Sequence, residues 1–171
     1  MKKIILILLL SGSLTSVHAQ GTLQFGATLT GADEVPPNGS TYDGSGTFTL
    51  TGSSLDYSVG MLAPFFLPTS AGIYGPATAG QTNSLIFDLG SYLIDAPSGS
   101  FPGSLGYIGT LTLASQQIND LESGLWYVNF TSPTYPDGEI RGQILPVPEP
   151  SALALLGLVA GLTMLFKRGR S

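Results

Sequence analysis

Apolar and polar residues alternate along most of this chain in runs too short for helices. Over residues 22–30, Leu23, Phe25, Ala27 and Leu29 fall on one side and small polar residues on the other, which predicts a half-buried strand. The same period of two recurs over residues 44–50 with Phe48 and Leu50 inward. It returns over 54–59 with Leu55, Tyr57 and Val59 in step, and Thr51-Gly52-Ser53-Ser54 between them reads as the turn of a hairpin. Further strands are predicted at 70–75, 83–89 and 105–113, and two more at 125–131 and 139–144 around the turn Pro136-Asp137-Gly138. Between them lie breaks rich in Gly, Pro and Ser: 31–39, a Pro-broken apolar loop at 61–69 holding Phe65 and Phe66, and 91–103.

Only residues 115–123 change period. Ile118 and Leu121 share a helical face, Ser115 is a candidate N-cap and Gly124 suits the position just beyond the C-terminus. Seven or eight short strands with one short helix predict an all-β protein, an antiparallel β-sandwich, with a closed barrel as the alternative. No internal repeat is visible.

The two ends break this pattern. Met1-Lys2-Lys3, an apolar run over 4–10, and Val17-His18-Ala19 before Gln20 have the form of a signal peptide over 1–19, cleaved after Ala19. At the other end Val147-Pro148-Glu149-Pro150 precedes an almost wholly apolar stretch, 151–166, and then Lys167-Arg168-Gly169-Arg170-Ser171. As a helix that stretch reaches about 24 Å, somewhat short of the roughly 30 Å hydrocarbon core. Local thinning and a snorkelling basic end let it span as a transmembrane helix, with the basic cluster cytoplasmic. The domain organisation expected is therefore 1–19, a sandwich at 20–146 and a tail at 147–171.

Setting the ends aside changes the charge picture. Lys2, Lys3, Lys167, Arg168, Arg170 and His18 all lie in them, so residues 20–150 keep one base, Arg141, and no His; the chain has no Cys. All eleven acids fall in that span, which leaves a formal charge of 1 − 11 = −10. Such a body repels nucleic acid and anionic lipid.

This composition narrows the chemistry. Thiol nucleophiles, Cys metal sites and His acid–base pairs are excluded from the body. The neighbouring acids Asp33 with Glu34, Asp120 with Glu122, and Asp137 with Glu139 sit in turns or at a helix end, where solvated carboxylates are ordinary, so a glycosidase dyad is not expected. No nucleophile elbow or phosphate loop occurs. No catalytic residue, cofactor site or metal site is expected; Asp33, Glu34, Asp43 and Asp137 are the loop acids a calcium ion would use, without EF-hand spacing. In the strand 125–131, Trp126 shares a face with Val128 and Phe130 and reads as core rather than as a sugar platform. Arg141 is read as a structural clamp whose planar fork holds Glu34 of the first loop, or Glu139 or Asn129 on a neighbouring strand, with an anion site as the competing reading.

Two resemblances follow. The order Pro148-Glu149-Pro150, apolar helix, basic cluster over 147–170 resembles the PEP-CTERM sorting signal. That implies a bacterial envelope protein handled by an exosortase-type membrane transpeptidase, commonly in exopolysaccharide-forming species, with the tail removed or exchanged near the tripeptide. Glu34-Val35-Pro36-Pro37, Gly75-Pro76, Gly124-Leu125-Trp126-Tyr127-Val128-Asn129 and Gly138-Glu139-Ile140-Arg141-Gly142-Gln143 together resemble the CHRD domain over about residues 23–144. This implies an extracellular β-sandwich. Family members usually carry His-Ile-His where this chain has Gly72-Ile73-Tyr74, and often a His where Thr131 stands, so a transition-metal or redox role is not expected.

The function expected is a non-enzymatic cell-surface or extracellular-matrix protein of structural or interaction type, with a biofilm context. It is exported across the inner membrane, held as a membrane-anchored precursor and then displayed or released. The alternative is a carbohydrate- or calcium-binding module of the exopolysaccharide matrix. The partners expected are the exosortase and exopolysaccharide, with no nucleic acid.

Overall fold

The computed structural model describes residues 21–62, 66–91, 93–94 and 104–148. The expected signal peptide, the tail expected to form a transmembrane helix, Glu149 and Pro150 therefore lie outside the described residues. Among the described residues no helix is long and apolar enough to cross a membrane.

Ten strands and one α-helix form among these residues: β1 Thr22–Thr30, β2 Asp43–Thr51, β3 Ser54–Leu62, β4 Ser70–Tyr74, β5 Leu85–Asp88, β6 Leu93–Ile94, β7 Ser104–Thr112, α1 Ser115–Glu122, β8 Tyr127–Thr131, β9 Ile140–Gln143 and β10 Leu145–Pro146. All pairings are antiparallel. The ladder runs β5-β4-β8-β9-β1-β2-β3-β7-β6, with β10 added to β1. Two halves are distinguishable, because β9 meets β1 at a single pair, Thr30 with Arg141, while β1 and β2 pair along their full length. The sheet curls at that joint. Tyr107 of β7 then packs on Phe130 of β8 with ring centroids 5.3 Å apart, although the two strands lie far apart along the ladder.

The core follows the alternation of the chain. Phe25, Ala27 and Leu29 of β1, Phe48 and Leu50 of β2, and Leu55, Tyr57 and Val59 of β3 are all buried. Burying side chains of this size contributes about 1.5–3 kcal/mol each before the entropy of ordering is subtracted. Trp126 is fully buried and meets Phe87 edge-on at 5.8 Å, as expected of a core residue. The face opposite Trp126, Val128 and Phe130 is covered too, so every residue of β8 is buried. Two-state patterning cannot show that, because it assumes one wet face.

The helix starts one residue earlier than its hydroxyl suggested. Ala114, not Ser115, is the N-cap, and its N–H donates to Oε1 of Gln117 at 2.8 Å. The Gln side chain supplies the reciprocal half of a capping box, so no N-cap hydroxyl is needed to define the start. At the other end Gly124 occupies the C′ place, its N–H donating to the Leu121 carbonyl at 2.9 Å. Other differences are small. The strand expected at 83–89 is shorter, because Asn83 is engaged with the Tyr127 hydroxyl and the Pro76 carbonyl. The expected loop 91–103 contains β6, paired to β7. In the loop 61–69, Phe66 packs on Tyr42 at 5.3 Å, while Phe65 lies outside the described residues.

Candidate functional site

The joint between the two halves sits where Gly142 of β9 passes over β1. A β-carbon on Gly142 would run into the Thr28 carbonyl, so only glycine permits this approach. The crossing carries Arg141 to the joint, opposite Asn129 of β8 on one side and Thr30 of β1 on the other. It also leaves a cavity of about 700 Å³ beside the joint, walled by β1 at Gly26–Thr28, the first loop at Ala32–Val35, the Ala79-Gly80 turn, Arg141, Gln143 and Leu145.

Arg141 is 2 % exposed. Its guanidinium carbon lies 3.4 Å from the centroid of the Tyr127 ring, and Tyr127 stacks on Tyr74 at 5.4 Å, giving a column of one cation on two rings. Nη2 donates to the Gln81 carbonyl, while Nη1 has no hydrogen-bond partner. Burial lowers its proton affinity, and Tyr127, Glu34 and Asp33 oppose that shift. A cation over an aromatic face is stabilised by the ring quadrupole, increasingly so as water is excluded.

Glu34 reaches the same cavity from the first loop and is 6 % exposed. Its Oε1 has no hydrogen-bond partner. Burial pushes its pKa up to about 7, against the opposing pull of Arg141 and of the Val35 N–H. The carboxylate rests on Gly138, where a β-carbon would come within 2.5 Å of both oxygens. Glu34 and Arg141 thus attract one another across the cavity wall without a fork between Nη1 and Oε1.

Glu139 turns elsewhere. Its two oxygens accept from Ser40 Oγ and, at 2.5 Å, from Ser132 Oγ. Asn38 adds Nδ2 bonds to the carbonyls of Gly138 at 2.8 Å and Glu139 at 3.1 Å. The first loop is therefore tied to the closing turn by Glu139 and Asn38, through hydroxyls and carbonyls, while Arg141 is held by Tyr127 and Gln81. Asn129 directs its Nδ2 to the Asp137 carbonyl at 3.4 Å, and its Oδ1 is unpaired. Gln143, on the cavity wall, donates to the carbonyls of Ala77 and Gly124 at 2.9 and 2.7 Å.

Sequence reasoning brought Glu34 and Arg141 together but missed Asn38, Ser40, Tyr127, Gln81 and Ser132. Tyr127 was accessible in principle, since it precedes Asn129 by two and shares its face. The loop residues carried no periodic signal. The loop acids do not converge: Asp33 accepts from Thr30 Oγ1 at 2.7 Å, and among the described residues no group of three or more His, Cys, Asp or Glu gathers as a metal site. Of the sorting tripeptide, Pro148 is described and exposed.

No curated protein and no solved structure matches this chain. Two family models do. The CHRD domain matches residues 25–144, from the first core Phe of β1 to just past β9, and the PEP-CTERM protein-sorting motif matches residues 146–170. The second marks an exported protein whose precursor is membrane-anchored and sorted by an exosortase-type system. With its all-β sandwich, its cavity at the joint and its sorting tail, the chain belongs to the CHRD domain family and carries a PEP-CTERM motif.

Proposed function

We propose that this chain is a non-catalytic, exosortase-sorted surface or matrix protein whose sandwich is the part presented outside the cell. The observation that carries the reading is the junction between domain and tail. The Val147 N–H donates to the Gln24 carbonyl at 2.8 Å, and β10 is paired to β1 just before it. The sorting tripeptide thus begins one residue after the last ladder bond. A chain cut at the tripeptide keeps every strand found among the described residues, the last of which ends at Pro146. The body supports a non-catalytic role, since residues 20–150 contain neither His nor Cys and their single base is buried on a tyrosine.

Cell fractionation with mass spectrometry of the surface form tests this. The mature C-terminus is expected within or next to Pro148-Glu149-Pro150, with the sandwich whole. A surface form that still ends in Arg170-Ser171 overturns the sorting role, and turnover of a substrate by the purified protein overturns the non-catalytic one.

A further inference from the structure

We propose that the end of the sandwich from which the tail departs rests on the lipid bilayer in the anchored precursor, with Leu23, Leu145 and Val147 seated in the headgroup layer of a neutral leaflet. Six large apolar side chains are exposed among the described residues, and these are three of them, at 42, 53 and 51 %. Exposed apolar residues scattered singly are ordinary, whereas a group of them at one place marks an interaction surface. Leu145 pairs with Gly26, and Val147 follows two places on, donating its N–H to the Gln24 carbonyl. Side chains two apart in an extended segment share a face. Val147 lies over the same strand, where a β-carbon on Gly26 would stand 3.5 Å from its Cγ2. Leu23 occupies the adjoining end of β1, paired with Leu50 at the rim of the core.

Chain length and charge name the occupant. β10 is antiparallel to β1, so at Val147 the chain is running towards the start of β1. Pro148, Glu149 and Pro150 alone separate Val147 from the apolar stretch 151–166. Four residue steps span at most about 14 Å, and the headgroup layer of one leaflet is about 5–8 Å deep. An anchored tail therefore keeps this rim within reach of lipid, at a high effective concentration. Across β1, β2, β3 and β7 the rim is a row of paired hydroxyl residues, Thr22, Thr51, Ser54 and Thr112, with no charge among them. Such hydroxyls bond headgroup oxygens as they bond water. The nearest strand acid, Asp56, lies two residues in from Ser54 and accepts from Thr110 Oγ1 at 2.6 Å. Asp43, paired with Thr30, and Asp33 stand at the far end of β1, roughly 26 Å away. The contact presupposes the anchored precursor of the sorting route proposed above, and flotation with vesicles tests that part by itself.

The chain has no Cys, so single substitutions place one fluorophore each. Full-length precursor is labelled at Leu23→Cys or Val147→Cys on the rim, or at Asp43→Cys or Ile108→Cys, exposed positions away from it, and reconstituted into phosphatidylcholine vesicles. All four proteins are expected to float with the vesicles. A nitroxide at the fifth carbon of the lipid chain is expected to quench the two rim labels at least about threefold more than the other two. Leu145→Asp combined with Val147→Asp keeps the tether length and removes the apolar contact. It is expected to cut quenching at Leu23→Cys at least about twofold, with melting as in the wild type, because both positions are exposed. Protein that does not float removes the anchored precursor and this proposal with it. Floating protein whose rim labels are quenched no more than the others, or whose Leu23→Cys quenching survives the double substitution, overturns the contact alone. Disulfide-linked dimers through Leu23→Cys without quenching would assign the rim to a second copy and overturn it too.

Discussion

Replacing Glu34 by Gln should stabilise the protein at neutral and alkaline pH and have little effect in acid. In the fold the Glu34 carboxyl is driven from an ordinary 4.5 to about 7, chiefly by burial. The folded state therefore holds a proton that the unfolded chain has already released between those values. By proton linkage, stability must fall as pH rises through that window and level off above it. Each pKa unit corresponds to about 1.4 kcal/mol, so the ionised Glu34 costs the fold about 3 kcal/mol at pH 8. That figure is an upper bound, since the side chain lines an open cavity and solvent screens part of the field. The Gln variant keeps the shape and carries no charge, so it escapes the penalty. For a domain of this size about 1 kcal/mol moves the melting temperature by a few degrees, which sets the expected gain at up to about 10 °C. The assay is thermal unfolding of wild type and Glu34→Gln from pH 4 to pH 9 at fixed ionic strength. The difference between the two curves isolates Glu34 from the other ten acids. It should be near zero below pH 5, open between pH 5 and pH 7, and stay level above. Parallel curves, or a Gln variant that melts lower at pH 8, would refute the argument and make ionised Glu34 a net contributor to the fold.

Two further substitutions probe the same joint. Arg141→Lys keeps the charge but loses the planar stack on Tyr127 and the fit to the Gln81 carbonyl, and should cost about 2–4 kcal/mol in chemical denaturation, the sum of a desolvated cation–π contact and a charge-assisted hydrogen bond; an unchanged midpoint would show that any cation serves. Gly138 has φ near +157°, and a β-carbon there would meet the Glu34 carboxyl. Gly138→Ala should therefore destabilise strongly in the wild-type background and distinctly less in Glu34→Ala, and equal losses in the two backgrounds would place the whole cost in the backbone.

The strands of the first half were legible because their physics is local. Phe25, Phe48 and Leu55 belong to runs whose period of two matches the pleat, and their turns are written in Gly, Ser and Pro. The closing turn was legible for the same reason: Gly138 N–H bonds the Tyr135 carbonyl across Pro136 and Asp137. The helix start was missed by one residue because its cap is a Gln side chain reaching back, which competes with the more familiar hydroxyl signal. The burial of both faces of β8 was not legible, because the cover on its second face comes from residues remote in sequence, such as Asn83 against Tyr127 and Thr69 and Ser70 against Thr131.

By itself the sequence determined the all-β class, the C-terminal sorting motif, the poverty of the body in bases, and the kinship of its motifs. These depend on order, spacing and composition, which a linear chain displays in full. Only the tertiary structure decided what the lone arginine does. Arg141 and Glu34 lie more than a hundred residues apart, and whether they form a fork depends on ångström-scale placement around a strand crossing that Gly142 permits. That placement sets Arg141 on Tyr127, sends Glu139 to Ser40 and Ser132, and leaves Arg141 Nη1 and Glu34 Oε1 buried without hydrogen-bond partners.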